Sequence, residues 1–224
     1  MIGTIVNTGA ILSGSLIGLA VGKHLPNKIK EILMQALGLS VLLIGLKMVL
    51  SGEQLLLTVG CLLLGAITGE LIGIERRLEQ LADGLKKIFR SNSSSFVEGF
   101  VSASLLYLVG AMTIVGTIQD GISHDPSTLY VKSLLDGVAS LALASHLGIG
   151  VAFSALSVLV VQGSLTIASS HLSFLKNPEV LGAVNSTGGL LILGIGINLL
   201  ELKRIRTGNL LPAIAYAIVG ALFL

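Results

Sequence analysis

Apolar residues in this chain neither alternate nor recur every third or fourth position. They run on for about 20 residues at a time, the length a helix needs to cross the hydrocarbon of a bilayer. These runs predict helices near 2–22, 31–50, 55–73, 96–118, 130–146, 149–168, 180–200 and 209–224. The fifth, sixth and last are short or polar. His146-Leu-Gly-Ile-Gly150 leaves almost no loop between the fifth and sixth. That pair reads either as two crossings or as a broken, re-entrant hairpin, which membranes tolerate only where protein or water covers the backbone. The fold class that follows is all-α: a polytopic helical membrane bundle of about seven or eight transmembrane helices, some of them short or broken.

One long segment is polar. Within 74–90, Ile74, Leu78, Leu81, Leu85 and Ile88 fall on one helical stripe, beside Phe89 and opposite a mixed-charge face. Such a helix lies along the cytoplasmic membrane surface, packs on a neighbouring subunit, or extends the third span into solvent. The serine-rich stretch 91–95 reads as a flexible linker. The chain then divides into a three-helix unit (1–73), an amphipathic helix with linker (74–95) and the remaining helices (96–224), all within one membrane domain, 1–224.

Composition agrees with the pattern. Hydrophobic residues make up 53% of 224 and charged ones 12%, with a mean hydropathy of +0.93, too few charges to cover a water-facing surface. Of 14 Lys and Arg, 11 fall in three loops: Lys23, Lys28 and Lys30; Arg76, Arg77, Lys86, Lys87 and Arg90; Lys203, Arg204 and Arg206. Eight crossings place all three loops on one side, and the positive-inside rule then puts them in the cytoplasm with both termini outside. Short basic clusters between apolar runs are a topology signal rather than a nucleic-acid-binding face. The single Cys61 excludes an internal disulfide. No basic stretch precedes the first run and no small-residue cleavage site follows it, so it is read as a retained helix.

Glycine recurs every fourth position at Gly14, Gly18 and Gly22 and again at Gly65, Gly69 and Gly73, giving flat backbone grooves for close helix approach. Two such grooves and an amphipathic helix exceed what one small bundle obviously uses, which predicts a homo-oligomer. Val6-Asn-Thr-Gly9 and Val184-Asn-Ser-Thr-Gly188 are alike, and units of three spans, each inverted relative to the last, would make an inverted repeat.

Polar groups at membrane depth are the candidates for chemistry, because each must be paired, protonated or hydrated there. Asp136 leads, sharing a helix face with Ser140, Ala144 and Gly148 at four-residue steps, a face that a cation, proton or polar solute can touch or that bonds structurally to a neighbouring helix. Lys132 lies a turn away toward the outer surface, so the expected partner of Asp136 is a neutral donor, a cation, water or a proton. Gln119 and Asp120 follow an apolar run whose glycines allow it to unwind, and they read as an oxygen-rich cation site or as a helix cap. Asn7, Gln162 and Asn185 need partners in the bundle interior and join Asp136 as lining candidates. Glu70 and Glu98 read as interfacial, and Lys47 as snorkelling. His24, His124, His146 and His171 are scattered, and no catalytic or phosphate-binding motif occurs, so neither an enzyme, a cofactor nor a metal site is expected.

The segments Gly3-Thr-Ile-Val-Asn7-Thr8, Val109-Gly-Ala-Met-Thr113-Ile-Val-Gly116-Thr-Ile-Gln119-Asp120-Gly121, Lys132-Ser-Leu-Leu-Asp136-Gly137 and Gln162-Gly163 together resemble a family of bacterial integral-membrane proteins of unknown function that includes YqgA and YdfK. The resemblance runs over nearly the whole chain and implies the plasma membrane of a prokaryote, with no substrate attached. The expectation is a transporter or channel for a small polar solute or ion, in contact with lipid and with its own copies. The alternative is a non-transporting sensor or scaffold.

Overall fold

The computed structural model describes residues 1–89, 91 and 93–223, and of Ala111 the backbone alone. Arg90 of the second basic cluster, Asn92 of the predicted linker and Leu224 of the last predicted helix lie outside the described residues. Among the described residues the chain is all-helical: α1 (Ile2–His24), α2 (Asn27–Leu50), α3 (Leu55–Ile72), α4 (Ile74–Ile88), α5 (Phe96–Leu108), α6 (Ala111–Ile118), α7 (Ser127–Leu147), α8 (Gly150–Ile167), α9 (Pro178–Leu199) and α10 (Pro212–Leu222). A π-helical turn, Gln119–Ser123, continues α6, and a 3-10 turn, Thr207–Leu210, leads into α10.

The breaks have local causes. Gly73 closes α3 in the left-handed conformation (φ 69°) and turns the chain straight into α4. Asn177 caps α9 through Oδ1, which accepts the Glu179 N–H at 3.1 Å, with Pro178 in the first turn. The run predicted as one helix over 96–118 is split, because Gly110 sits at φ 128°, ψ 156°, where only glycine is at ease. The two pieces meet at 62°. The unwinding therefore comes at Gly110, ahead of the glycines nearer Gln119.

Helix directions follow from the packing register. Gly14, Gly18 and Gly22 of α1 face the backbone of Gly137, Leu141 and Ser145, so α1 and α7 run parallel. On α3, Gly65 and Gly69 face Ala213 and Asn209, making α3 and α10 antiparallel; Gly45 and Gly38 face Gly189 and Gly196 in the same antiparallel sense between α2 and α9. At each of these glycines an added Cβ would meet backbone or a packed side chain, which is why the small residue is needed there. Both glycine series are thus used within the chain, and spare grooves no longer argue for an oligomer. Gly73 is not a packing glycine at all: a Cβ there meets nothing within 4 Å.

The core is shared by α5, α7, α8 and α9, where Phe96, Tyr107, Leu143, Val151, Leu191 and Ile195 are fully buried. Outward faces are apolar too, as at Leu12 and Leu16 of α1, Leu39 and Leu43 of α2, and Leu56 and Leu63 of α3. An apolar core inside an apolar surface is what a bilayer selects. Five helices (α1, α2, α3, α8 and α9) are long and apolar enough to cross one, and the bent α5–α6 pair makes six. In α7 the length suffices but Lys132 and Asp136 lower its hydropathy; α10 is short.

The stripe predicted for α4 divides in two. Leu78 and Leu85 pack on the core around buried Ala82, whereas Leu81 and Ile88 face outward. Phe89 packs against Phe153 with ring centroids 4.5 Å apart and planes tilted by 54°.

Candidate functional site

The polar residues of α1, α7 and α8 converge because α1 lies between the other two, parallel to α7 and antiparallel to α8. Asn7 Nδ2 donates to Asp136 Oδ2 at 2.9 Å and to Gln162 Oε1 at 3.0 Å. Lys132 Nζ lies 2.5 Å from the same Asp136 oxygen. All four side chains are buried, Asn7 and Gln162 completely. The expectation that no basic group reaches Asp136 is overturned: Lys132, one turn earlier on α7, folds along its own helix to make an i,i+4 pair. Burial in low dielectric makes such a pair strong only while both partners are present.

One turn along α8, Thr166 Oγ1 donates to the Gln162 carbonyl at 2.9 Å and pairs with Thr4 Oγ1 at 3.2 Å. One turn along α7, Ser140 Oγ meets Tyr107 Oη at 2.8 Å. Two atoms within the cluster have no partner: Asn7 Oδ1 and Gln162 Nε2. A buried polar group left without a hydrogen bond costs about 1–3 kcal/mol.

The other predicted site residues go elsewhere. Asp120 is buried beside the start of α1, where its Oδ2 accepts the Gly3 N–H and lies 3.0 Å from the Met1 nitrogen, a carboxylate at the positive end of a helix. Gln119 Oε1 accepts instead from Thr128 Oγ1 at 2.6 Å. The two side chains are held by different elements and do not form the oxygen-rich cluster expected of them. Asn185 bonds Ser51 Oγ at 2.5 Å, where α9 meets the end of α2, outside the site. Among the described residues no three His, Cys, Asp or Glu side chains converge as metal ligands. Lys132 was expected at the outer surface, and Thr4, Thr166 and Tyr107 were missed, although the four-residue spacings Lys132 to Asp136 and Gln162 to Thr166 were visible in the sequence.

A recess of about 510 Å³ opens beside the cluster, lined by Asp120, His124, Thr166, Ser169 and Ser170 together with Met1. At the opposite end of the bundle a recess of about 520 Å³ carries Glu75, Glu79, Glu98, Glu201, Lys203 and Arg204. Glu201 also lines a neighbouring recess with Lys30 and His146. The α1–α2 loop, α4 and the loop after α9 therefore meet at one end. That loop is clamped by carboxylates. Glu79 pairs with Arg204, Glu70 with Arg206 at 2.6 Å, and Glu75 Oε2 accepts the Gly208 N–H at 2.6 Å while Asn209 Oδ1 accepts the Glu75 N–H at 2.7 Å. Burial pushes the Glu75 carboxyl above its ordinary range, against the opposing pull of the Gly208 N–H.

Apolar helices enclosing a charged, hydrogen-bonded cluster define a polytopic α-helical membrane protein. The chain belongs to the DUF554 family, described as proteins of unknown function, whose model matches residues 2–222. It is 31% identical over 218 residues to the uncharacterized membrane protein YdfK of Bacillus subtilis (strain 168), covering 96% of this chain and 93% of that one. It is 29% identical over 222 residues to the uncharacterized protein YqgA of Escherichia coli (strain K12), covering 97% and 94%. The family resemblance carried by the sequence motifs is thereby confirmed. No solved structure matches the chain.

Proposed function

We infer that the protein is a transporter or channel for a small polar solute or ion, and that the α1–α7–α8 cluster is its solute-facing site. The observation that carries this reading is the buried Lys132–Asp136 ion pair, held with Asn7 and Gln162 among three apolar helices. Ionisable groups inside membrane-spanning helices mark solute and ion pathways by default. The broken α5–α6 unit, which supplies Tyr107 and Asp120, adds support, because discontinuous helices frame the binding sites of many transporters.

Helix directions support eight crossings formed by α1, α2, α3, α5–α6, α7, α8, α9 and α10. Strict alternation through these makes α1 parallel to α7 and antiparallel to α8, α2 antiparallel to α9, and α3 antiparallel to α10, as the packing register requires. The basic loops then share the cytoplasmic side, and the Asp120 recess faces outward.

A second reading has one observation in its favour. Lys132 already neutralises Asp136, so the pair is able to serve as a structural lock within a sensor or scaffold. Reconstitution separates the two. Proteoliposomes holding wild type or Asp136→Asn are compared for proton, cation and polar-solute flux, alongside thermal stability. Flux that is present in the wild type and lost in a stably folded Asp136→Asn protein supports transport. Identical behaviour of the two in every assay to which the wild type responds removes Asp136 from the site.

A further inference from the structure

A recess of about 1010 Å³ opens where α3 gives way to α4, and four guanidiniums line it: Arg76 and Arg77 from the first turn of α4, Arg204 and Arg206 from the loop after α9. Three carboxylates share its wall, and each is engaged. Glu79 pairs with Arg204, Glu70 with Arg206 at 2.6 Å, and Glu75 accepts the Gly208 N–H at 2.6 Å, so that the loop is held against α4. Burial favours the neutral form of Glu75, which lowers the opposing charge further. Arg76 and Arg77 are exposed and have no salt-bridge partner among the described residues. Arg204 and Arg206 each keep further N–H donors beyond the bond to their carboxylate.

The recess also lies at a membrane boundary. It begins at the last turn of α3, a helix long and apolar enough to span, and includes Leu71 and Ile72. Leu64, Ile67 and Leu71, at helical spacing, form an exposed apolar row leading down α3 from it. Gly73 turns the chain, and α4 then crosses the end of the bundle, from the Gly208 contact at Glu75 to the Phe153 contact at Phe89 near the start of α8. Leu81 and Ile88, on the helix row of Arg77, are exposed too, as on a helix seated at a headgroup boundary.

We propose that this recess binds the phosphate headgroup of an anionic phospholipid, with Arg76 and Arg77 on the phosphate and the acyl chains along Leu64, Ile67 and Leu71. The site stands whether or not the cluster inside the bundle moves a solute. A guanidinium matches phosphate oxygens in a two-point fork, and basic side chains at a membrane surface draw anionic lipid by about fivefold in affinity for each charge. A soluble anion satisfies the arginines but gains nothing from the apolar row beside them. A zwitterionic lipid brings its own cation into a wall that already has a surplus of them. Only an anionic lipid fits both halves of the site.

Native mass spectrometry of the full chain in detergent tests this. Phosphatidylglycerol and phosphatidylcholine with the same acyl chains are supplied in equal amounts, and the retained lipid is counted for wild type, for Arg76→Gln/Arg77→Gln, and for Lys23→Gln/Lys28→Gln, which removes the same charge from the α1–α2 junction. All four side chains are exposed, so the three proteins should melt alike without lipid. Wild type should prefer phosphatidylglycerol, the arginine variant should lose about fivefold of that preference for each guanidinium removed, and the lysine variant should keep it. An absent preference in wild type or an unchanged one in the arginine variant overturns the site. So does an equal loss in the lysine variant, which would make net charge alone the cause. Inorganic phosphate in large excess is the last arm: phosphatidylglycerol that stays bound supports the lipid, and its displacement by phosphate overturns the lipid in favour of a soluble anion.

Discussion

Lys132 Nζ lies 2.5 Å from Asp136 Oδ2, one turn apart on α7 and almost wholly out of solvent. The pair is intrahelical, so it costs α7 no freedom relative to its neighbours, while Asn7 and through it Gln162 bind the same carboxylate from α1 and α8. One carboxylate thereby coordinates three helices, and its charge sets the direction of every bond beyond it.

Removing one member of this pair strands a buried charge. Lys132→Met and Asp136→Leu are each expected to lower stability by about 3–5 kcal/mol, and the double substitution to recover most of that loss. Thermal unfolding in detergent or nanodiscs measures it. A Lys132→Met protein as stable as wild type would mean the pair contributes nothing.

The glycines of α1 are not equivalent. At Gly18 a side chain would press on the Leu141 carbonyl, so Gly18→Leu should cost about 3 kcal/mol or more, or prevent folding. At Gly9 nothing lies within 4 Å, and Gly9→Ala should stabilise by about 0.5–1 kcal/mol through helix propensity. Equal effects of the two would contradict the α1–α7 register.

Topology is tested by labelling. In a Cys61→Ala background, single cysteines replacing Asn27 and Ser93 should resist an impermeant thiol reagent in intact cells, and one replacing Ser123 should react. The basic loops collect at one end of the bundle, and transfer of their charges across the membrane is resisted during insertion. Reaction at Ser93 from outside reverses the orientation.

Glu75 gives a pH dependence of known sign. Burial raises its carboxyl above the ordinary 4.5, so the folded state holds that proton more tightly than the unfolded chain does. Its contribution to stability is therefore greatest at low pH and is lost as pH rises from the ordinary value through the raised one. Glu75→Gln, which keeps an oxygen for the Gly208 N–H, should gain on wild type in thermal stability as pH rises across that window. A difference that does not change with pH refutes the assignment.

The apolar runs, at about 20 residues each, already specified a polytopic helical bundle, because in hydrocarbon every backbone group must bond within its own segment. The positions of the helices, apart from the break at Gly110, the amphipathic α4 and the family motifs were legible for the same reason: each is written in consecutive residues. Asn7, Asp136 and Gln162 were recognisable one by one as groups that apolar surroundings do not tolerate alone. Which of them meet was not, since that depends on α1 lying between α7 and α8, 129 and 155 residues away along the chain. Spacing alone also could not tell whether Lys132 reaches out to the surface or back along α7 to Asp136; burial of the surrounding helices decided it. Likewise the glycine series announced close packing without naming a partner, and only the assembled bundle showed α7 and α10 filling those grooves. A sequence states what each segment must bury or satisfy, and tertiary packing selects the atoms that do it.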